Sequence, residues 1–209
     1  TYIFRFCDNK DVLLELLKRI PKINMHDENE LRSVMYAFEF CKNKDKEVLL
    51  ELLKQIPDLN IQNIYGYTVT MKAFICCKNK DVLLEILRQK PDLNIQDNHG
   101  LTATITAFRC CKDKEVLLEV LKQKPNLNFQ DRYSITATMC AFKYCNDKEI
   151  LLELLKQKPN LILKDKLNKT TLDYALENYV KSPNFEFNVL EQLYDENCKQ
   201  DKELFNKDY

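Results

Sequence analysis

The chain repeats one segment at intervals of about 34 residues, and this feature limits the fold more than any other. Five near-copies of a leucine-rich segment each end in a proline. The prolines are Pro21, Pro57, Pro91, Pro125 and Pro159, spaced by 36, 34, 34 and 34 residues. A chain with this period folds as a row of similar units, because a single unit cannot bury its apolar faces without neighbours.

Each unit is predicted to contain two helices. In the unit at 94–127, residues 102–111 place apolar side chains three and four residues apart after a threonine, which indicates a short first helix. A polar turn leads to a second helix at 115–123, whose apolar surface is wide enough to require neighbours on more than one side. Pro125 ends this helix, because proline cannot continue the hydrogen-bond ladder. The link to the next unit is then extended.

The copies resemble the ankyrin repeat. Part of the family signature, Gly-x-Thr-Pro-Leu-x-x-Ala after a β-turn, occurs at 66–73, 100–107, 134–141 and 168–175. The family's asparagine at the entry to the turn has counterparts in Asn60 and Asn94. The resemblance covers about residues 1–198. It implies an all-α, ankyrin-like helical repeat solenoid of five to six repeats, with short turns between helix pairs.

The sequence departs from the family pattern at regular positions. The signature proline is replaced by Val69, Ala103, Ala137 or Thr171, the core leucine by Thr70, Thr104 or Thr138, and the glycine that ends the first helix by Cys41, Cys77, Cys111 or Cys145. The unit is also one residue longer than the usual 33, and we place the extra residue in the polar turn between the helices. In the last copy Asn168 replaces the turn glycine, and asparagine tolerates a left-handed backbone there.

We predict one array over residues 1–198, followed by a polar C-terminal tail at 199–209. The array consists of a partial repeat at 1–23 and repeats at 24–59, 60–93, 94–127, 128–161 and 162–198. Phe4 aligns with the first-helix residue Phe38, so we expect the natural protein to extend further towards its N-terminus. A last second helix is expected at 185–197, after a variant linker around Pro183, and would act as a terminal cap.

Composition disfavours several kinds of partner. The chain has 32 Lys and Arg against 32 Asp and Glu, so no overall basic field attracts nucleic acid or anionic lipid. No apolar run approaches the roughly 18 residues of a membrane span. The 2 glycines of the chain disfavour glycine-built phosphate loops. We therefore expect no nucleic-acid partner, no membrane insertion and no cofactor.

The 9 cysteines are interpreted as packing residues. Cys7, Cys41, Cys77, Cys111 and Cys145 recur at the repeat period. Stacked helices lie roughly 8–10 Å apart, too far for disulfides between equivalent positions, so we expect these thiols to fill the seam between first helices. His26 and His99 lie in turns away from them, which leaves no zinc ligand set. Free thiols in this number indicate a reducing compartment, and we predict a cytoplasmic location, or the host cytosol for an effector.

The sequence carries no recognised catalytic motif, such as a nucleophile elbow or a phosphate loop. The recurring carboxylates stand three residues before a cation, a spacing typical of solvated ion pairs on a helix. These pairs are Glu51 with Lys54, Glu85 with Arg88, Glu119 with Lys122, and Glu153 with Lys156. A catalytic carboxylate pair is the alternative, but repetition of one active site in every copy is improbable. We therefore predict a non-enzymatic protein.

Asn24, Asn60, Asn94 and Asn128 allow two interpretations. The side chain of asparagine at a turn commonly bonds the neighbouring backbone, and we favour this structural role. The resemblance offers the other interpretation, because the equivalent asparagine in that family can be the target of an asparaginyl hydroxylase.

The positions that differ from copy to copy lie at the turn tips and the ends of the first helices, whereas Ala73, Ala107 and Ala141 stay constant. The resemblance places the variable positions on a concave face. The first of these tips is predicted at Glu28, Asn29 and Leu31. Aromatic and cationic residues of the kind found here dominate binding hot spots, although the next repeat's turn can instead cover some of them. The predicted partner-binding residues are Tyr65, Tyr67, His99, Leu101, Arg109, Arg132, Tyr133, Ile135, Lys143 and Tyr144.

These observations predict a monomeric protein–protein interaction module that binds another protein through the concave face. The first alternative is the targeting or substrate-recruiting arm of a larger enzyme or host-directed effector, with its catalytic part outside this sequence. The second is self-association through an exposed end of the array. A full-length reading frame tests the first alternative, and concentration-dependent light scattering tests the second.

Overall fold

The computed structural model describes residue 7 and residues 9–19, 28–40, 46–182 and 186–205. The regular elements within these ranges are all helices, so the all-helical prediction is confirmed there. In chain order they are α1 (Lys10–Arg19), α2 (Glu28–Phe40), α3 (Lys46–Gln55), α4 (Val69–Cys76), α5 (Lys80–Arg88), α6 (Ala103–Cys110), α7 (Lys114–Lys122), α8 (Ala137–Tyr144), α9 (Lys148–Lys156), α10 (Thr171–Lys181) and α11 (Phe187–Phe205). None of these helices combines the length and apolarity that a membrane span requires.

The helices form two compact units, one up to Asn98 and the other from His99 onwards. In unit 1, the first helices α2 and α4 pack on each other, and the second helices α1, α3 and α5 pack in succession. In unit 2, α6, α8 and α10 are the successive first helices, and α7, α9 and α11 the successive second helices. Within each unit, helices therefore contact their equivalents in neighbouring repeats, a pattern compatible with a helical repeat.

Threonine side chains start most of the first helices. Thr68, Thr102 and Thr136 accept hydrogen bonds from the backbone N–H three residues later, at 3.3, 3.1 and 3.1 Å. Thr170 caps α10 in the same way, and the Asp173 carboxylate accepts a hydrogen bond from the Thr170 N–H, which completes a capping box. The helix predicted at 102–111 thus begins one residue after Thr102.

The second helices α5, α7 and α9 begin after a side-chain cap and end before the proline is reached. Asn79 and Asp113 accept hydrogen bonds from the N–H groups of the first turn. Helix α5 ends at Arg88, and Lys90 then adopts a φ of 52°, with its N–H donating to the Leu87 carbonyl at 3.0 Å. The equivalent lysines of the next two repeats have the same left-handed backbone. The left-handed lysine therefore ends the helical path one residue before the proline that the sequence analysis took as the end of the helix.

The framework positions of the first helices form the core of each unit. Phe38 and Phe74 in unit 1, and Phe108 and Phe142 in unit 2, are at most 1% exposed, and the alanine before each of them is completely buried. In α7, Val116, Leu117, Val120 and Leu121 are all buried, so this helix has neighbours on more than one side, as the sequence predicts.

Three of the periodic cysteines, Cys77, Cys111 and Cys145, directly follow the ends of first helices. Cys77 and Cys111 are buried and Cys7 and Cys145 are half-buried, and the described cysteines are free thiols. Cys77 and Cys111 cap helices α4 and α6 with an extended backbone. The remaining periodic cysteine, Cys41, lies outside the described residues, as do Phe4, Asn24, His26, Pro183 and Phe185.

The first predicted turn tip is wrong. Glu28, Asn29 and Leu31 belong to helix α2, and Leu31 is only 3% exposed. In this repeat Glu30 aligns with the glycine of the other tips, and Arg32 aligns with the capping threonine. Without a left-handed residue and without the cap, the helical ladder continues through the positions that form the turn elsewhere.

The last helix differs from its predicted length. It was expected at 185–197, but α11 runs from Phe187 to Phe205 and includes much of the predicted polar tail. The Gln200 amide holds this part of the helix against the unit. Its Nε2 donates to the Pro159 carbonyl, and its Oε1 accepts from the Leu161 N–H, both at 2.8 Å.

Candidate functional site

A short side chain organises three of the described turn tips by accepting hydrogen bonds from their backbone. The Oδ1 atoms of Asn63, Asp131 and Asp165 each accept hydrogen bonds from two backbone N–H groups of their own tip, two and four residues later, at 2.8–3.0 Å. Such a turn fixes the backbone and leaves the tip side chains pointing away from it. The sequence analysis did not single out these residues, although the repeated Gln-Asp or Gln-Asn pair marks two of the positions.

Each tip also needs one residue with a left-handed backbone. Gly66 has a φ of 80°, and an added Cβ would lie 2.6 Å from the Asn98 backbone nitrogen, so glycine is required both by conformation and by space. At the equivalent positions Ser134 and Asn168 have φ values of 61° and 60°. The prediction for Asn168 is confirmed.

Neighbouring tips within a unit are tied together by hydrogen bonds. The Asn98 N–H donates to the Tyr65 carbonyl in unit 1, and in unit 2 the Lys166 N–H donates to the Tyr133 carbonyl. The Gln130 side chain adds a second hydrogen-bonded connection between tips. Gln130 Nε2 donates to the Ser134 carbonyl at 2.9 Å and, across to the next repeat, to the Lys164 carbonyl at 3.2 Å. The tips of each unit are therefore held in fixed register.

A hollow of about 360 Å³ lies beneath the tip of unit 1. Met35, Tyr36, Glu39, Asn63, Ile64, Tyr65, Tyr67 and Lys72 line it. Glu39 and Lys72 form an ion pair at 2.8 Å across its wall. Tyr65 is 62% exposed and Tyr67 is half-buried, so one tyrosine of the hollow is open to solvent and the other is partly covered.

Unit 2 has a corresponding hollow of about 290 Å³. Arg109, Tyr133, Ile135, Met139, Cys140, Lys143, Tyr144 and Tyr174 line it. Five of the predicted binding residues therefore meet in one place, although they come from two repeats. Tyr133 and Tyr144 are 50% and 40% exposed, whereas Ile135 is half-buried.

Of the other predicted residues of unit 2, Arg132 lies beside Tyr133 on the same tip, and His99 and Leu101 lie on the preceding tip. The Arg132 guanidinium stacks on the Tyr133 ring, with 4.7 Å between the guanidinium carbon and the ring centre, and donates to the Tyr133 hydroxyl at 2.7 Å. Its other end lies 3.4 Å from His99 Nδ1. Both His99 and Arg132 are exposed, and Leu101 is half-buried. A cation and a tyrosine are thus pre-positioned on one surface.

Arg109 is the predicted residue most engaged within the protein. It forms an ion pair with Asp131 at 3.1 Å, and the Asp131 side chain is only 2% exposed. The neighbouring thiol of Cys140 is buried, and burial raises its pKa to about 11 although Arg109 opposes the shift. Arg109 therefore neutralises the carboxylate that shapes the tip above it, and only about a third of its own side chain is exposed.

Asp165, the counterpart of Asp131 in the last repeat, is buried and pairs with Tyr174. The Tyr174 hydroxyl donates to Asp165 Oδ2 at 2.6 Å. Burial opposes ionisation of Asp165, but the hydrogen bonds from Tyr174 and from two tip amides outweigh it, so the pKa of Asp165 is lowered. Burial and the same carboxylate raise the pKa of Tyr174. Sequence reasoning missed Tyr174, because its position is occupied by Cys140 one repeat earlier.

Two further predictions concern residues away from the tips. The four second-helix ion pairs are confirmed, with nitrogen–oxygen distances of 2.7, 2.9, 3.1 and 2.9 Å. Asn60 and Asn128 bond the backbone as expected, but their partners lie 32 residues away, at the far end of the same predicted repeats. Their Oδ1 atoms accept from the Asp92 and Asn160 N–H groups, each at 2.8 Å. These asparagines connect the first and last segments of their repeats, which agrees with the favoured structural role.

Among the described residues, no group of three or more His, Cys, Asp or Glu side chains is arranged to hold a metal ion. Neither a protein-family model nor a curated protein matches the sequence of this chain.

Proposed function

We propose that the chain is a protein-binding module of the ankyrin-repeat type, which engages its partner through the tips and the first helices. We call the residues that line the hollow of a unit, together with the tip residues beside it, the tip surface of that unit. The observation that carries the proposal is the occurrence of an open, tyrosine-lined hollow at the same place in both units, above a completely buried framework.

The exposed residues suit a protein partner. Tyr65 and Tyr133 each combine a large apolar ring with a polar hydroxyl. Each of them is carried by a tip whose backbone is held by hydrogen bonds. A tyrosine side chain has roughly 200 Å² of surface, so covering the exposed half of Tyr133 would remove about 100 Å² from water. At about 25 cal/mol per Å² this contributes about 2.5 kcal/mol, the scale of a binding hot spot.

The second helices offer a poorer binding surface. Their exposed cations pair with carboxylates of the same helix, as Lys122 does with Glu119 and Lys156 with Glu153. Lys54, Lys122 and Lys156 are each about 70% exposed, so they can be changed without disturbing the core. They provide a matched control for changes at the tips.

The test is selection of a random displayed peptide library on the intact chain. We expect binders that are lost with a variant carrying Tyr65→Ala and Tyr133→Ala and kept with a variant carrying Lys122→Ala and Lys156→Ala. Circular dichroism melting verifies that both variants remain folded. Binders that survive the tip changes but are lost with the second-helix changes would refute the proposed surface. A library that yields no reproducible binder would refute the binding function.

A further inference from the structure

Three cations on the tip surface of unit 2 face solvent. Arg132 contacts the His99 ring and Tyr133, and the Lys143 ammonium lies 5.2 Å from the centre of the Tyr144 ring and 4.9 Å from that of Tyr174. The Lys166 side chain is exposed at the next tip. For the part of the chain that the structure describes, none of the three forms an ion pair.

This pattern is not a general property of the unit. On the second helices, Lys114 pairs with Asp147 at 3.1 Å and with Glu149 at 2.8 Å, and Lys148 pairs with Glu186 at 2.8 Å. The whole chain has as many acids as bases. Carboxylates are therefore available in the sequence, but among the described residues of unit 2 they pair with the cations of the second helices and not with Arg132, Lys143 or Lys166.

The carboxylates that do lie near the tip surface are already engaged. Arg109 neutralises Asp131, and Asp165 accepts from Tyr174 and the tip amides. On α10, Glu177 forms an ion pair with Lys169. An acidic ligand would thus meet Arg132, Lys143 and Lys166 while the fixed negative groups are compensated from within the protein.

The hollow of unit 2, whose lining includes Lys143, has room for one side chain. Its volume of about 290 Å³ is at the lower limit for a small-molecule site, and its walls include Tyr133, Ile135, Met139 and Tyr144. Such walls favour an aromatic or large aliphatic group that covers the exposed tyrosine faces. Apolar walls flanked by cations fit a segment that is apolar at its centre and acidic on both sides.

We infer that the tip surface of unit 2 binds an acidic segment of another protein, with one aromatic or large aliphatic side chain in the hollow and carboxylates paired with Arg132, Lys143 or Lys166. This inference rests on the proposed function and specifies the chemistry of the partner. A protein segment is favoured over nucleic acid because strong phosphate-backbone binding uses many cations in a broad basic field, whereas this chain has a formal net charge of zero.

The test uses the peptides that the intact chain selects from the random library. We expect Asp and Glu to be enriched on both sides of an aromatic or large aliphatic residue. The most enriched peptide, labelled with a fluorophore, is then titrated by anisotropy against a variant with Arg132→Gln and Lys143→Gln. Binding should weaken at least fivefold, and the affinity for the unchanged chain should fall as salt rises from 50 to 300 mM.

The control variant carries Lys122→Gln and Lys156→Gln, which removes the same charge from the second helices, and its affinity should stay within twofold. Neutral or basic binders that are lost with Tyr133→Ala would overturn the acidic partner and leave the proposed function standing. Binders with no dependence on the tips would overturn both. Tighter binding of a 20-nucleotide single-stranded RNA, lost with the same Gln variant, would assign the surface to nucleic acid and refute the inference.

Discussion

Replacement of Asp165 by Asn tests whether a buried carboxylate holds the last turn tip. The Asp165 side chain accepts from the Leu167 and Lys169 N–H groups at 2.8 and 2.9 Å and from the Tyr174 hydroxyl at 2.6 Å. Asparagine has a similar shape and keeps one acceptor oxygen for the two amides, and Asn63 serves the equivalent tip of unit 1 with the same two bonds. The substitution therefore changes the charge more than the geometry.

The expected loss follows from these three hydrogen bonds. A bond to a charged group contributes about 1.5–3 kcal/mol and a neutral one about 0.5–1.5 kcal/mol, so three bonds lose about 3 kcal/mol together. Asp165 is only 6% exposed, so its charge is costly to bury. The neutral asparagine avoids this desolvation cost, which offsets the loss by about 1 kcal/mol. We expect Asp165→Asn to lower the free energy of unfolding by about 2 kcal/mol at pH 7.

The same variant has a defined pH dependence. The folded protein lowers the pKa of Asp165, so the ionised side chain stabilises the fold above the usual aspartate pKa of about 3.9. This stabilisation is lost as the pH falls through the lower pKa of the folded state. The difference between the unchanged chain and the variant should therefore be largest at neutral pH and shrink below about pH 4.

Urea unfolding followed by far-ultraviolet circular dichroism between pH 7 and pH 3 measures this difference. Asp195→Asn on the exposed surface of α11 is the matched control, and it should change the free energy of unfolding by less than about 0.5 kcal/mol. Faster amide hydrogen exchange at Leu167 and Lys169 would locate the effect at the tip. A difference near zero at pH 7, or one that does not change with pH, would refute the reasoning.

Three further predictions follow from the packing, the tips and the thiols. Leu121→Ala in a helix packed between two others should lower the free energy of unfolding by about 2–5 kcal/mol, whereas Leu190→Ala in the last helix should cost less; equal losses in urea titrations would contradict a row of stacked repeats. Gly66→Ala should lower the melting temperature because its Cβ would collide with the backbone of the next tip. Ser134→Gly should raise the melting temperature because glycine adopts the left-handed backbone without strain. A higher melting temperature for Gly66→Ala and a lower one for Ser134→Gly would refute the tip geometry. All 9 thiols should react with a thiol reagent in denatured, non-reduced protein, but the Cys140 thiol, with a pKa of about 11, should react slowly in the folded chain, and a rapid reaction there would contradict its burial.

The sequence by itself determined the helices and most of their ends. The first helix predicted at 102–111 lies at Ala103–Cys110, and the second helix predicted at 115–123 lies at Lys114–Lys122. Both predictions succeed because the signals are local. A capping side chain satisfies N–H groups within three residues of itself, and the apolar spacing of a helix is fixed by its own geometry.

The tertiary structure decided the helix ends for which the sequence has no local signal, and those that depend on contacts between distant residues. Helix α2 continues through the expected tip because no glycine or threonine interrupts it, and α11 continues to Phe205 because Gln200 bonds the preceding repeat. The sequence analysis treated the first region as a turn by analogy with the other copies. In both places the helix extends according to what the surrounding backbone can satisfy.

The positions of the proposed binding surface could be predicted from the sequence, but their arrangement could not. Variation between copies indicates which residues are outside the fixed framework, and Tyr65, Tyr133 and Arg132, chosen in this way, are exposed. It does not show that Arg109 is held by Asp131, 22 residues away, or that Tyr174 contributes to the wall of the same hollow. Those contacts depend on how far successive repeats stack apart, and that distance is set by the packing of their cores and not by any residue of the tips.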